Sequence, residues 1–193
     1  DPAPFITLGL CISRDPKTGG KNTSIYRLQV KGRNRLGIMA QHLVRQLVEA
    51  ESLGKGLPIA IAIGTDPVLP LATQWMAPYG TDELALAGSL RGAPVEVVKA
   101  ETVDLEVPAT AEIIIEGMVL PNVREEEGPF GEVSGYYTPS NPKPVIEVSA
   151  IGLACDAGLR NWTCEVRRIV TMMFNNSIFG YVALIAAALN LLH

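Results

Sequence analysis

The pattern of apolar and polar positions along this chain is mostly that of strands. "PFITLGLCIS" (4–13) is a short apolar run and predicts a buried strand. "RDPKTGGKN" (14–22) is turn chemistry, with Asp-Pro followed by Gly-Gly. "TSIYRLQVKG" (23–32) alternates: Ile25, Arg27 and Gln29 share one face, Tyr26, Leu28 and Val30 the other. Together the two runs predict a β-hairpin. "RLGIMAQHLVRQLVEAESLG" (35–54) carries Leu36, Met39, Leu43, Leu47 and Val48 at helical spacing, with Gly54 as a C-cap, and predicts a helix. "LPIAIAIGTDP" (57–67) predicts a strand running into a turn. Short helices are expected around 67–76 and 81–91, and further strands over 94–108, 111–120 and 144–153. Six or more strands with few helices between them predict an α+β fold. Its sheet would be mixed and mostly antiparallel, or a barrel, rather than doubly wound and parallel.

The far end of the chain departs from this pattern. From Thr171 to Leu192 no residue is charged, a length that could span a bilayer. Asn175, Asn176, Ser177 and Asn190 interrupt it, so the stretch reads as a buried or partner-seeking apolar helix, and a membrane span is disfavoured. The start, "DPAPFITLGL", has neither a methionine nor a basic n-region, which is read as a fragment or processed piece without a signal peptide.

Composition narrows the function classes. The chain has 193 residues, 48% hydrophobic and 19% charged, an ordinary globular balance for one domain with an appendage. A net charge of −4 and the lack of a basic, aromatic-interleaved stripe argue against nucleic acid as a partner. Cys11, Cys155 and Cys164 are odd in number and lack paired ligand spacing. They suit a reducing, cytoplasmic compartment better than a disulfide framework or a zinc site.

The most informative polar stretch is "EEEGPFGEVSGYY" (125–137). Gly128 and Gly131 permit unusual dihedral angles and Pro129 fixes one, so the bend between Glu127 and Glu132 is predisposed to one shape. Two carboxylates near one arginine cannot titrate alike. The one beside the cation is held ionised, and the other, if desolvated, carries a proton at neutral pH and becomes a general acid. The same residues also read as an acidic hairpin tip. Arg27, opposite the apolar face of its strand, reads as a surface cation or as one that points into a cleft. His42 reads on its own as a structural histidine of an amphipathic helix. As a ligand it would need oxygen donors, which Asn22 and Glu83 could supply, in a set suited to Mn²⁺ or Mg²⁺ rather than zinc.

Taken in order, "NTSIYRLQVKG", "QH" at 41–42, "LPIAIAIGTDP", "DELALAGSLRGAPVEVVKAETVDLEVPATAEIIIEG" and "EGPFGEVSGYY" resemble the UbiD-like decarboxylases over residues 4 to 150. The resemblance implies a central cofactor-binding domain of the split β-barrel flavin-binding type over 1–150, followed by an unaligned, helical tail over 151–193. It implies prenylated flavin mononucleotide (FMN) bound with Mn²⁺ (or Mg²⁺) and K⁺, and reversible, non-oxidative decarboxylation of an aromatic or α,β-unsaturated carboxylic acid. The positions that match the family's catalytic set are Arg27, Glu127 and Glu132, with Glu127 pairing Arg27 and Glu132 donating the proton that replaces CO₂. Asn22, His42 and Glu83 match its metal ligands, and Ser24, Ile25 and Gln41 match positions that touch the cofactor. Family members are considerably longer, with a domain before this region and a long one after it that mediates oligomerisation. The alternative reading is therefore a non-catalytic cofactor-binding fragment or subunit that joins a partner subunit or its own copies through the apolar tail.

Overall fold

An apolar run such as "IAIAI" offers no polar face to water, so a strand built from it must be covered on both sides. The computed structural model, which describes residues 4–75, 77–132 and 134–153, meets this demand with a closed barrel and a helical cover. In chain order the elements are β1 (Phe5–Arg14), β2 (Lys21–Lys31), β3 (Arg35–Met39), α1 (Leu43–Ser52), β4 (Leu57–Ile63), α2 (Val68–Ala72), α3 (Glu83–Arg91), β5 (Val97–Lys99), β6 (Glu106–Pro108), β7 (Ile113–Glu127), β8 (Phe130–Gly131), β9 (Tyr137–Thr138) and β10 (Asn141–Leu153). The barrel order is β1-β2-β3-β10-β7-β4, and each described pairing is antiparallel.

Alternation divides the apolar residues into two cores. Cys11, Leu28, Ile38, Ile61, Ile115 and Ile146, one from each barrel strand, fill the interior, and Leu43, Leu47 and Ala50 of α1 pack onto them. The intervening residues Leu10, Ile12, Ala60, Ala62 and Ile114 form a second core with Leu69 and Ala72 of α2 and Leu84 and Ala87 of α3. Small alanines at 60 and 62 let the helices approach the sheet closely. Each fully buried leucine or isoleucine stabilises the fold by about 1.5–3 kcal/mol.

Three expectations change. Residues 35–54 are not one helix: β3 ends at Met39 and α1 begins at Leu43. Leu36 and Ile38 alternate into the core while Gly37, a poor helix former, pairs with Gln29 of β2 and Val145 of β10. Two elements of different period abut here, and their summed apolar pattern imitates a longer helix. Residues 94–108 likewise form two short strands, β5 and β6, paired as a hairpin closed by Ala100 N–H to Leu105 C=O at 2.9 Å. Buried Glu116 holds the linking segment by accepting from the Glu101 and Thr102 N–H groups.

The third change bears on function. Strand β7 does not stop near 120 but runs to Glu127, paired with β10 from Asn141 to Pro144. Glu125–Glu127 are therefore strand residues rather than a hairpin tip. Glu126 faces solvent and Glu127 is turned inward. The apolar helix expected in the tail falls on residues outside those described. The last strand runs to Leu153, slightly past the expected domain boundary at 150.

Candidate active site

Strand β3 stops opposite Arg27, at Met39, so the first half of β2 from Lys21 to Tyr26 has β1 on one side and no β3 on the other. This unpaired edge borders a cleft of about 780 Å³. Asn22, Ser24, Ile25, Arg27, Gln41, His42, Glu83 and Glu132 all line it. Glu127 does not; it lies buried beneath Arg27.

The arginine binds its two carboxylates unequally. Its Nε donates to Glu127 Oε1 and its Nη2 to Glu127 Oε2, each at 2.9 Å, a bidentate fork with a side chain that is 0% exposed. Its Nη1 donates to Glu132 Oε1 at 2.7 Å, and that side chain is 42% exposed. The Phe130 ring covers the guanidinium at 4.8 Å, and Phe5 supports Phe130 edge-on at 4.8 Å. Thr138 pairs across from Phe130 and donates its hydroxyl to Glu132 Oε1 at 2.7 Å. Both described donors to Glu132 thus converge on one oxygen.

Elsewhere in the cleft, Glu83 opens α3 after Asp82, whose carboxylate caps the helix by accepting from Leu84 and Ala85 N–H. Glu83 Oε2 accepts from the Thr23 N–H at 2.9 Å, on β2 next to Asn22. Burial pushes the Glu83 carboxyl above its ordinary range; the Thr23 N–H and the nearby His42 pull against that, and Asp82 adds to it. The Asn22 amide nitrogen is buried without a hydrogen-bond partner. His42 occupies the N-cap of α1 with no side-chain capping bond. The Tyr26 hydroxyl stands in, accepting the Leu43 N–H at 3.1 Å. No cluster of three or more His, Cys, Asp or Glu side chains arranged for a metal occurs among the described residues. Asn22, His42 and Glu83 include only two such residues, so an amide has to complete the set.

Several residues that line the cleft or bond its lining went unread in the sequence. Phe130 lies inside the "GPFG" bend and Thr138 just after "SGYY", but neither type signals a role by spacing. The connection between α2 and α3, with Trp75, Pro78 and Tyr79 facing the cleft, carries only turn residues as a signal.

The model of the UbiD family, described as the 3-octaprenyl-4-hydroxybenzoate carboxy-lyase Rift-related domain, matches residues 1–160. The chain is 43% identical over 159 residues to anhydromevalonate phosphate decarboxylase of Methanothermobacter thermautotrophicus, covering 81% of this chain and 37% of that protein. It is 40% identical over 154 residues to phenolic acid decarboxylase of Bacillus subtilis, covering 76% and 33%. Among solved structures it resembles an evolved dimeric form of the UbiD-class enzyme HmfF from Pelotomaculum thermopropionicum in complex with prenylated FMN. The TM-score is 0.78 and the identity 51%, over 79% of this chain and 36% of that one. The chain thus spans about a third of the length of these relatives. The match over most of its length means that this chain belongs to the UbiD family.

Proposed function

We propose that this chain forms the prenylated-FMN-binding part of a UbiD-class carboxy-lyase. The reaction is reversible, non-oxidative decarboxylation of an aromatic or α,β-unsaturated carboxylic acid. The observation that carries the reading is the Arg27 fork: one carboxylate buried behind the cation and a second held at the cleft surface.

The prenylated flavin, when bound, supplies the electron sink for loss of CO₂. The protein's own groups do the rest. Glu127 fixes the guanidinium plane, and Arg27 keeps donors free to meet an incoming carboxylate. Glu132, which is ion-paired to Arg27 and partly exposed rather than desolvated, would have to leave Arg27 Nη1 and take a proton from solvent before giving it to the substrate carbon in place of CO₂. Its partial exposure gives it that access. Phe130 keeps water from one face of the arginine.

The donor set fits a divalent cation. Asn22 has a buried, unpartnered amide and Glu83 a desolvated carboxyl, with His42 close enough to affect it. A bound cation would offset the cost at Glu83 and take the Asn22 amide oxygen as a ligand, while the unpartnered Asn22 nitrogen, a donor, would need an acceptor on the cofactor. These residues would hold Mn²⁺ or Mg²⁺, which with K⁺ would supply positive charge for an anionic cofactor. Ser24, Ile25 and Gln41 would touch the cofactor itself. A cytoplasmic setting suits Cys11, whose free thiol is buried in the barrel and pushed up by that burial to about 12, despite a hydrogen bond from the Tyr26 backbone. Self-association or a partner subunit accords with the dimeric form of the relative HmfF. No helix among the described residues is long and apolar enough to cross a membrane.

The test is retention. The purified chain is mixed with prenylated FMN, Mn²⁺ and K⁺ and desalted, and its absorbance and metal content are read. Stoichiometric retention, lost in His42→Ala and Glu83→Gln, is the expected result. No retention would favour the alternative, a subunit whose cleft is completed by another chain.

A further inference from the structure

We propose that Tyr79 and Asp15 form a latch that holds the α2–α3 connection as a wall of the cleft. Tyr79 then acts as a positioning residue that slows escape of the bound cofactor. The role toward the cofactor rests on the flavin reading above; the latch itself does not.

The α2–α3 connection contributes Thr73, Gln74, Trp75, Ala77, Pro78, Tyr79 and Gly80 to the cleft lining, yet its described backbone bonds are short-range. Ala77 N–H reaches only Trp75 C=O, and the Thr81 N–H and hydroxyl reach only Pro78 C=O. Such bonds shape turns without fastening the segment to the barrel. Trp75 is 68% exposed and does not anchor it.

Tyr79 makes the long-range tie. Its hydroxyl donates to Asp15 Oδ2 at 2.5 Å, across 64 residues of sequence. Its ring lies against the Arg45 guanidinium of α1 at 4.1 Å. Asp15 is held by bonds that do not involve the tyrosine. It is 2% exposed, and its Oδ1 accepts from the Lys17 and Thr18 N–H groups at 2.8 and 3.0 Å. Its own N–H donates to Gly20 C=O. The second carboxylate oxygen is therefore aimed at the cleft wall, and a bond to a charged acceptor is stronger than one between neutral groups. A few residues beyond Tyr79, Asp82 caps α3 and Glu83 enters the cleft, so the same tie restrains the approach of that carboxylate.

Tyr79→Phe removes the hydroxyl and keeps the ring against Arg45, at a half-exposed position that tolerates the change. Two readouts are taken on the full 193-residue chain. One is amide hydrogen exchange of Ala77, Tyr79 and Gly80 in the ligand-free protein. The other is the dissociation rate of FMN, used as the probe with Mn²⁺ and followed by flavin fluorescence. The variant is expected to exchange faster at those amides alone and to release FMN roughly tenfold faster, the scale of one charge-assisted hydrogen bond. Unchanged exchange would overturn the latch, as would faster exchange throughout the barrel, which marks a general stabilising residue. Local loosening with an unchanged FMN rate would overturn its role toward the cofactor. A wild-type chain that takes up no FMN would overturn both the role toward the cofactor and flavin binding by the isolated chain, in favour of the subunit reading, while hydrogen exchange would still decide the latch.

Discussion

Arg27 and Glu127 stand 100 residues apart in the chain and meet through two parallel hydrogen bonds, Nε to Oε1 and Nη2 to Oε2, both 2.9 Å long. The pair joins β2 to the end of β7, strands that are not neighbours in the barrel. It is therefore both a tie across the barrel and the support of the cation in the cleft.

Its two carboxylates should differ in stability. Removing one partner of a buried ion pair costs about 3–5 kcal/mol where the other charge is left uncompensated, and without Glu127 the buried Arg27 would keep only the partly exposed Glu132. A partly exposed pair is worth about 0–1 kcal/mol. Glu127→Ala is thus expected to lower the urea unfolding midpoint strongly and Glu132→Ala only slightly. Equal losses would contradict the assigned burial.

Chemistry should reverse that order of importance. Glu132→Gln cannot give up a proton and is expected to abolish turnover by the reconstituted protein while flavin and metal are retained. Thr138→Val removes a hydroxyl bonded to Glu132 Oε1 and is expected to slow turnover roughly tenfold, with Thr138→Ser restoring it. Turnover retained in Glu132→Gln would remove this residue from the proton step.

Gly128 follows Glu127 with φ of 105°, a conformation that side chains rarely adopt. An added Cβ would also sit 3.3 Å from the Ser140 Cα. Gly128→Ala is expected to cost about 1–3 kcal/mol and to loosen the Arg27 fork. A thermal melt equal to that of the wild type would show that the bend adapts freely.

Asp15 predicts a pH dependence. Burial raises its carboxyl, but the Tyr79 hydroxyl and the Thr18 and Lys17 N–H groups outweigh burial and hold it at about 2. The folded carboxyl binds its proton less tightly than the unfolded one, whose pKa is about 3.9. The unfolded state then holds more protons, and stability rises with pH. The contribution is complete above the unfolded value and disappears as pH falls through about 2. The stability gap between wild type and Asp15→Asn is therefore expected to narrow from pH 5 to pH 2 in urea titrations. A constant gap would mean that the carboxylate is not held this way.

The sequence by itself determined the strand-rich class and singled out Arg27, Glu127 and Glu132, which the structure brings together. Period-two alternation is a local property, legible in "TSIYRLQVKG" and "PVIEVSAIGL", and residue types at motif spacing survive without knowledge of contacts. Tertiary structure alone decided which carboxylate is buried. "REEEG" reads as a solvated tip until β10 pairs alongside it and carries β7 through to Glu127, turning that side chain inward. The division of 35–54 into β3 and α1 was decided in the same way, by two neighbouring strands claiming Leu36 and Ile38. Thr138 on Glu132 and Tyr79 on Asp15 were equally invisible, because a hydroxyl finds its acceptor only when the chain brings the two together. Periodicity reports which face a residue takes within its own element; what lies against that face depends on contacts between elements far apart in the chain.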